Sequence, residues 1–456
     1  MDNVIDLVDQ SAFLGERATG TTNLLQCVWI YDRAIDFDGL RQFHRHLQRG
    51  RLSRRIERSR FPFGRHRWVA PRDQSDLEIA ESPGAREEFD AWLSEQANTP
   101  LDSELGPGWH LAVLPFADGG AGVSFVISHS LIDGVGLCEA LADAATGRHD
   151  PINWPAAGSR RRWQAFREDA RQTARDIPAV GRAVGAAARF ATHDHKSGPR
   201  PERAPFVGPD ERVDLAKATF FVDADDWDAR ARSLGGTSNA LLAGLAGSLA
   251  QRLGRVTGDG VATLAIPVNG RTDGDTRANA ITSVDIRIDP ADAPTDLREI
   301  RASIKQALTR HQEVPDERLA LLPLAPLMPR WLIRRMAGVA LGGATTSGSS
   351  NLGAVNSAAN RPDGTDADHF AVRLLVPGVT KATVQQTGGL LGLLSGKAHG
   401  RVFVSVVAYE EDGPNSNDGL RQHISNVLRD FSLTATIGWP PSGPVRAQRA
   451  EPQDRR

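Results

Sequence analysis

Apolar positions along the chain fall into two alternating patterns. Short, nearly unbroken apolar runs bounded by turn residues predict buried strands, and between them lie stretches whose apolar residues recur every three or four positions, as helices require. NLLQCVWIYD (23–32) is the first strand; behind it DFDGLRQFHRHLQRG places Leu40, Phe43 and Leu47 on one helical face, with Asp36 or Asp38 to cap it and Gly50 to stop it. WHLAVLPFADGGAGVSFVISHS (109–130) is two apolar runs joined by ADGGAG, a hairpin with a Gly-rich turn, and a helix follows. A second set opens with ATFFVDADDW (218–227) as a strand and TSNALLAGLAGSLAQRLG (237–254) as a helix capped by Thr237 or Ser238. VATLAIPVN, ITSVDIRI and GRVFVSVVAY supply further strands.

These patterns predict an α/β protein of two lobes, each a mixed sheet with flanking helices. The expected boundaries are an N-terminal lobe at 1–155, a charged, Ala-rich helical linker at 156–205, a C-terminal lobe at 206–439 and a tail at 440–456. The tail is Pro-rich and charged without apolar periodicity, so disorder is expected there.

Composition narrows the partners. With 456 residues, 40% hydrophobic and 24% charged, the chain can bury two large cores. A formal net charge of -2 supplies no global field for nucleic acid. The two cysteines, Cys27 and Cys138, fit no metal spacing, and neither a disulfide framework nor a metal site is expected. The N-terminal residues lack the charged and apolar regions of a signal peptide, which points to the cytoplasm. Residues 319–343, LALLPLAPLMPRWLIRRMAGVALGG, are too interrupted by proline and arginine to span a bilayer; either a seat at the inner membrane surface or a Pro-kinked piece of core fits them.

Chemistry gathers at FVISHSLIDGVGLCEAL (125–141), where an apolar strand runs into His129, a turn with Asp133 and Gly134, and a helix. A neutral imidazole with an ordinary pKa of about 6.5 is suited to general-base work if it faces a cavity. Asp133 could turn back toward the ring or inward to pair with a cation, and Gly134 would open backbone conformations closed to other residues. Taken alone, the pattern fits a buried structural histidine equally well. HDH (193–195) is a weak metal candidate in a polar stretch, and SRRRW (159–163) with Arg167 is either a solvated helix face or a contact for phosphates or lipid headgroups. No Gly-x-Ser-x-Gly surrounds a serine, so no nucleophile elbow is supported.

SHSLIDG (128–134) resembles the His-His-x-x-x-Asp-Gly signature of the CoA-dependent acyltransferase superfamily, which includes chloramphenicol acetyltransferases, condensation domains and polyketide-associated acyltransferases. The likeness is closest to the bacterial wax ester synthase/diacylglycerol acyltransferases, whose run through a Trp, here Trp109, leads to the signature. TSNALLAGLAGSLAQRL, IPVNGRTDGDTRANAI (266–281) and SSNLGAV (349–355) resemble further segments of that group. Ser128 stands where the signature has its first His, and SNLGAV lacks the group's Pro-Gly-Pro.

The resemblance implies a chloramphenicol-acetyltransferase-like fold with an active-site channel between the lobes. It implies His129 as general base, transferring a fatty acyl group from acyl-CoA to an alcohol. Asp133 and Gly134 would support the site, with Arg271 as the partner of Asp133. Ser350 and Asn351, and more remotely Asn239 and Asn269, are the implied oxyanion donors or channel liners; a turn or cap role is the alternative for each, and the leading one for Asn239 and Asn269. No bound cofactor is implied; acyl-CoA or an acyl-phosphopantetheine carrier is the co-substrate, and an acyl carrier protein a partner. The rival readings are a condensation-like or polyketide-associated enzyme with a carrier-bound donor, a binding relative without catalysis, and a hydrolase.

Overall fold

The computed structural model describes residues 3–61, 63–72, 75–148, 152–194, 208–272, 274–314, 319–334, 346–410 and 413–439. In chain order the N-terminal part runs α1 (Leu7–Thr19), β1 (Leu24–Tyr31), α2 (Phe37–Leu47), β2 (Arg55–Glu57), β3 (Arg67–Val69), β4 (Leu77–Ile79), α3 (Phe89–Ala97), β5 (Trp109–Pro115), β6 (Ala121–Ser128) and α4 (Gly134–Thr146). After the long α5 (Arg162–Asp194) come β7 (Ala216–Asp223), α6 (Ala224–Ser233), α7 (Ser238–Arg252), β8 (Ala262–Asn269), β9 (Ile281–Ile288) and α8 (Arg298–Glu313). The remaining strands are β10 (Thr346–Ala354), β11 (His369–Leu375), β12 (Leu390–Ala398), β13 (Arg401–Tyr409) and β14 (Thr436–Ile437), with helices Lys381–Thr387 and Asn417–Asp430 among them.

The architecture is two-lobed α/β. The N-terminal sheet has the order β11-β1-β6-β5-β4. Every residue of β1 is buried, as an unbroken apolar run in a central strand demands. Its alternate side chains serve two layers: Cys27 and Trp29 join the main cluster with α2 and α4, while Val28 and Ile30 pack on Phe89 and Leu93 of α3. Asp36 caps α2 by accepting from the N–H groups of Asp38 and Gly39. The β5–β6 hairpin pairs Trp109 with Ile127, and β6 also lies antiparallel to β1.

The C-terminal sheet has the order β14-β7-β13-β12-β10-β8-β9, in which β10 runs parallel to both neighbours. Its core helix is α7, buried from Ala240 to Ala250. An apolar stretch rich in Ala and Gly can be buried all round because its thin surface lets neighbours close in. A Cβ on Gly247 would stand 2.6 Å from Ile288 Cδ1. Thr237, not Ser238, is the N-cap, and the strand expected over 218–227 ends at Asp223, whose carboxylate caps α6.

One strand crosses the expected division of the chain. Strand β11, within the stretch assigned to the C-terminal lobe, pairs with β1 from Leu24↔Leu375 to Ile30↔His369. The 206–439 segment is therefore not one contiguous lobe: it donates an edge strand to the other sheet, a long-range pairing that local pattern does not encode. The expected linker contains α5, 33 residues long with Pro178 inside it; residues 195–207 and the 440–456 tail lie outside the described residues. Phe221, Leu394 and Phe403 of the C-terminal sheet share one apolar cluster with Trp29 and Phe370 of the N-terminal sheet. The lobes are joined by core, not only by chain.

Candidate active site

His129 follows the last residue of β6 and precedes α4 by a short turn. Its N–H donates to Asn23 O at 2.8 Å, and its carbonyl accepts from Asn279 Nδ2 at 3.1 Å. Asn279 belongs to the stretch between β8 and β9, so the two lobes hold this residue's backbone from opposite sides. The imidazole itself is half-buried and engages no hydrogen bond or ion pair among the described residues.

Asp133 turns inward, away from solvent. As N-cap of α4 its Oδ1 accepts from Gly136 N at 2.7 Å. Its Oδ2 accepts from Ala280 N at 2.9 Å and lies 2.5 Å from Arg271 Nη2. The side chains of Asp133 and Arg271 are only 1% and 3% exposed. Arg271 also donates to the carbonyls of Ala278 and Arg277. This single ion pair therefore fastens Arg271, Ala278 and Ala280 of one lobe to the His129 turn of the other. Hydrogen bonds offset the desolvation of such a pair, and here three donors converge on the carboxylate, while Arg271 Nε is buried with no partner among the described residues.

Gly134 departs from its expected role. It opens α4 and has no left-handed backbone conformation. Space is what it provides: a Cβ there would stand 2.8 Å from Leu352 Cδ2, and one on Gly136 would stand 2.9 Å from the Arg271 guanidinium carbon.

A layer beneath the turn was not legible in sequence. Asp9 of α1 accepts from Ala278 N at 2.8 Å and Asn279 N at 2.7 Å, and Arg54 donates to the carbonyls of Leu131 and Thr276. Burial raises the Asp9 carboxyl to about 6 and lowers the Arg54 guanidinium to about 10. Ser128, in place of the signature's first His, joins Ser103 and Ser130 in a triangle of buried hydroxyls 2.7–2.9 Å apart. Glu16, one face of α1 further along, accepts from Asn23 N and from Ser130, and burial raises its carboxyl to about 7. The only sequence signal for these residues is polar side chains at positions 9 and 16, two helical turns apart, in an amphipathic N-terminal stretch.

The expected oxyanion residues separate. Ser350 pairs in register with Leu394, which packs toward the N-terminal lobe, so its side chain lies on that face of β10. Asn351 lies on the opposite face by alternation; its Nδ2 donates to Asn239 Oδ1, 2.6 Å away at the start of α7. Asn269 is exposed and accepts from Arg271 N, a turn role remote from His129 in function. A pocket lined by Leu52, Arg54, Arg55, Leu105, Pro107 and Trp109 sits in the N-terminal lobe and does not include His129.

Of the 319–343 stretch, Leu319–Leu327 forms a 3-10 segment packed on α1 and α5, with Ala325 and Ile333 buried and Trp331 67% exposed. Residues 335–343 lie outside the described residues, as does His195 of HDH. Among the described residues no group of His, Cys, Asp and Glu could hold a metal ion, and no helix is long and apolar enough to cross a membrane.

No family model matches the chain, and no curated protein matches its sequence. Solved structures do match. The first condensation domain of the calcium-dependent antibiotic synthetase, in complex with a substrate analogue, aligns with a TM-score of 0.56 at 15% identity over 96% of this chain and 99% of that one. The trichothecene 15-O-acetyltransferase of Fusarium sporotrichioides aligns with a TM-score of 0.58 at 12% identity over 94% of each chain. An epimerization domain of tyrocidine synthetase B gives 0.52 at 16% identity, covering 95% of this chain and 97% of that one. At such identities the likeness establishes the fold: this chain has the two-lobed fold of condensation domains, as the resemblance to the acyltransferase superfamily implied. These likenesses lend nothing to the wax ester synthase subgroup.

Proposed function

We propose that this protein is a condensation-like acyltransferase, which passes an acyl group from a thioester to an alcohol or amine. The observation that carries the reading is the His129 imidazole: unengaged, half-buried and held at the seam of the lobes by a backbone that both lobes pin. In this reading His129 accepts the proton of the acceptor hydroxyl or amine as that atom attacks the thioester carbonyl. The tetrahedral intermediate collapses with loss of thiolate, which takes the proton back from the imidazolium. No acyl-enzyme forms, and no bound cofactor or metal is used.

Asp133, Gly134 and Arg271 hold the turn rather than react; Ser350, with its hydroxyl on the face turned to the N-terminal lobe, is the preferred oxyanion donor, ahead of Asn351 and Asn239. The neighbouring folds favour a donor carried on the phosphopantetheine arm of a carrier protein, with acyl-CoA and an alcohol acceptor, the wax-ester-like version, as the second reading. A cytoplasmic site for the reaction fits either thioester.

Thiol release decides between them. Purified protein is given acyl-CoA or acyl-carrier protein of graded chain length, with and without pooled alcohols and amines, beside His129→Ala. Acceptor-dependent release that disappears in the variant, with its urea midpoint unchanged, is the expected result. Release that is independent of acceptor makes the protein a hydrolase; no release from any donor by folded protein leaves a binding relative and defeats the proposal.

A further inference from the structure

The long helix α5 carries a segregated outer face that the reaction at His129 does not use. With Trp163 set at 0° and about 100° per residue, Phe166, Ile177 and Val184 fall within about 60° of it on one side. Arg167, Arg171, Arg175 and Arg182 fall about 40–120° round the other way, while buried Ala165, Asp169 and Ala183 lie opposite at about 200–240°. The apolar members are 84%, 41%, 63% and 56% exposed in chain order. The four arginines are exposed and make no hydrogen bond or ion pair among the described residues.

The acidic residues of this helix between Trp163 and Val184 are engaged by other side chains. Asp169 is buried against Arg160, Arg67 and Ser59, Glu168 meets Arg160 and Gln164, and Asp176 meets Gln172 and Arg65. A chain of net charge -2 thus presents a purely cationic strip beside an apolar one. From Trp163 to Val184 the strip runs about 32 Å at 1.5 Å per residue. Leu319 and Leu327 on the segment packed against α5, and Trp331 just after it, are exposed as well.

We propose that α5 is the face on which this protein lies on an anionic lipid surface. The headgroup boundary accepts both halves of the strip at once, phosphates meeting guanidinium groups while Trp163, Phe166 and Ile177 enter the acyl margin. A second copy fits poorly, since a symmetric contact would set arginine against arginine. The proposal is independent of the reaction at His129.

The test is sedimentation of the full chain with vesicles of phosphatidylcholine, with and without phosphatidylglycerol. Binding only to the anionic vesicles, weakening as salt is raised, is expected. The triple variant Arg167→Glu/Arg171→Glu/Arg175→Glu should bind at least roughly tenfold more weakly, and Trp163→Ala/Ile177→Ser should also bind less. His129→Ala should bind as wild type. The altered side chains are exposed, so unchanged urea midpoints certify the variants as folded. Absence of binding at low salt overturns the proposal, as does wild-type binding by both α5 variants. A wild-type dimer that the α5 variants dissolve, or capture of an acidic carrier protein through α5 without any vesicle binding, would give the face to a protein and equally overturn it.

Discussion

Replacing Asp133 by Asn tests the joint between the lobes. The carboxylate takes hydrogen bonds from Gly136 N, Ala280 N and Arg271 Nη2, and both members of the ion pair are almost wholly buried. An amide offers one acceptor oxygen. If it keeps the cap on Gly136, its NH2 group faces the Ala280 N–H and the guanidinium, and Arg271 becomes a buried charge without a counter-charge. Breaking such a pair costs about 3–5 kcal/mol, against a total stability of about 5–15 kcal/mol. With a urea slope of about 3 kcal/mol/M, the midpoint should fall by about 1 M or more. Urea unfolding followed by tryptophan fluorescence measures it, alongside Arg271→Met and the double variant. Removing both charges leaves no orphan, so the double variant should be markedly less damaged than the sum of the singles. A shift below about 0.3 M for Asp133→Asn, or strict additivity in the cycle, would refute the reasoning.

Further outcomes follow from neighbouring groups. Burial raises Glu16 from 4.5 to about 7, so the folded state holds the proton more tightly: this contribution is complete below pH 4.5 and lost as pH rises to about 7. At about 1.4 kcal/mol per unit the loss is at most about 3.5 kcal/mol, and Glu16→Gln should remove that part of the pH slope of the urea midpoint. The difference between the two proteins isolates Glu16 from Asp9 and from His66 and His369, which burial lowers to about 4; an unchanged slope sinks the assignment. Gly136→Ala should cost more midpoint than Gly134→Ala, because its Cβ meets the fixed Arg271 guanidinium whereas Leu352 can rotate; the reverse order counts against the packing account. Ser350→Ala should lower kcat about 100-fold or more if its hydroxyl binds the oxyanion, with no change in KM or midpoint, and an unaltered kcat removes Ser350 from the role.

Much of the site could be read in the chain because its signals are local. The apolar run of β6, the His at its end, an Asp that caps α4 and small residues behind it lie together between Ala121 and Gly136, and each follows from strand, turn and helix chemistry. Arg271 was reachable only through the resemblance, since 138 residues separate it from Asp133. For Gly134 the sequence suggests a conformational reason and the structure supplies a steric one, because contact with Leu352 cannot be seen in a pattern. Ser350 and Asn351 looked equivalent as neighbours until strand alternation sent one to each face of β10.

What the sequence settled by itself is the inventory: two sets of strands and helices, a connecting helix, and a histidine at a strand-to-helix turn, all encoded in periodicity and capping within a few residues. Tertiary structure alone decided how those parts meet. The transfer of β11 into the N-terminal sheet, the meeting of Arg271 and Ala280 with Asp133, and the Asp9, Glu16 and Ser103 layer under His129 all join residues far apart in the chain. Their free energy comes from desolvated pairing and packing between distant surfaces, which no local pattern of polar and apolar residues records.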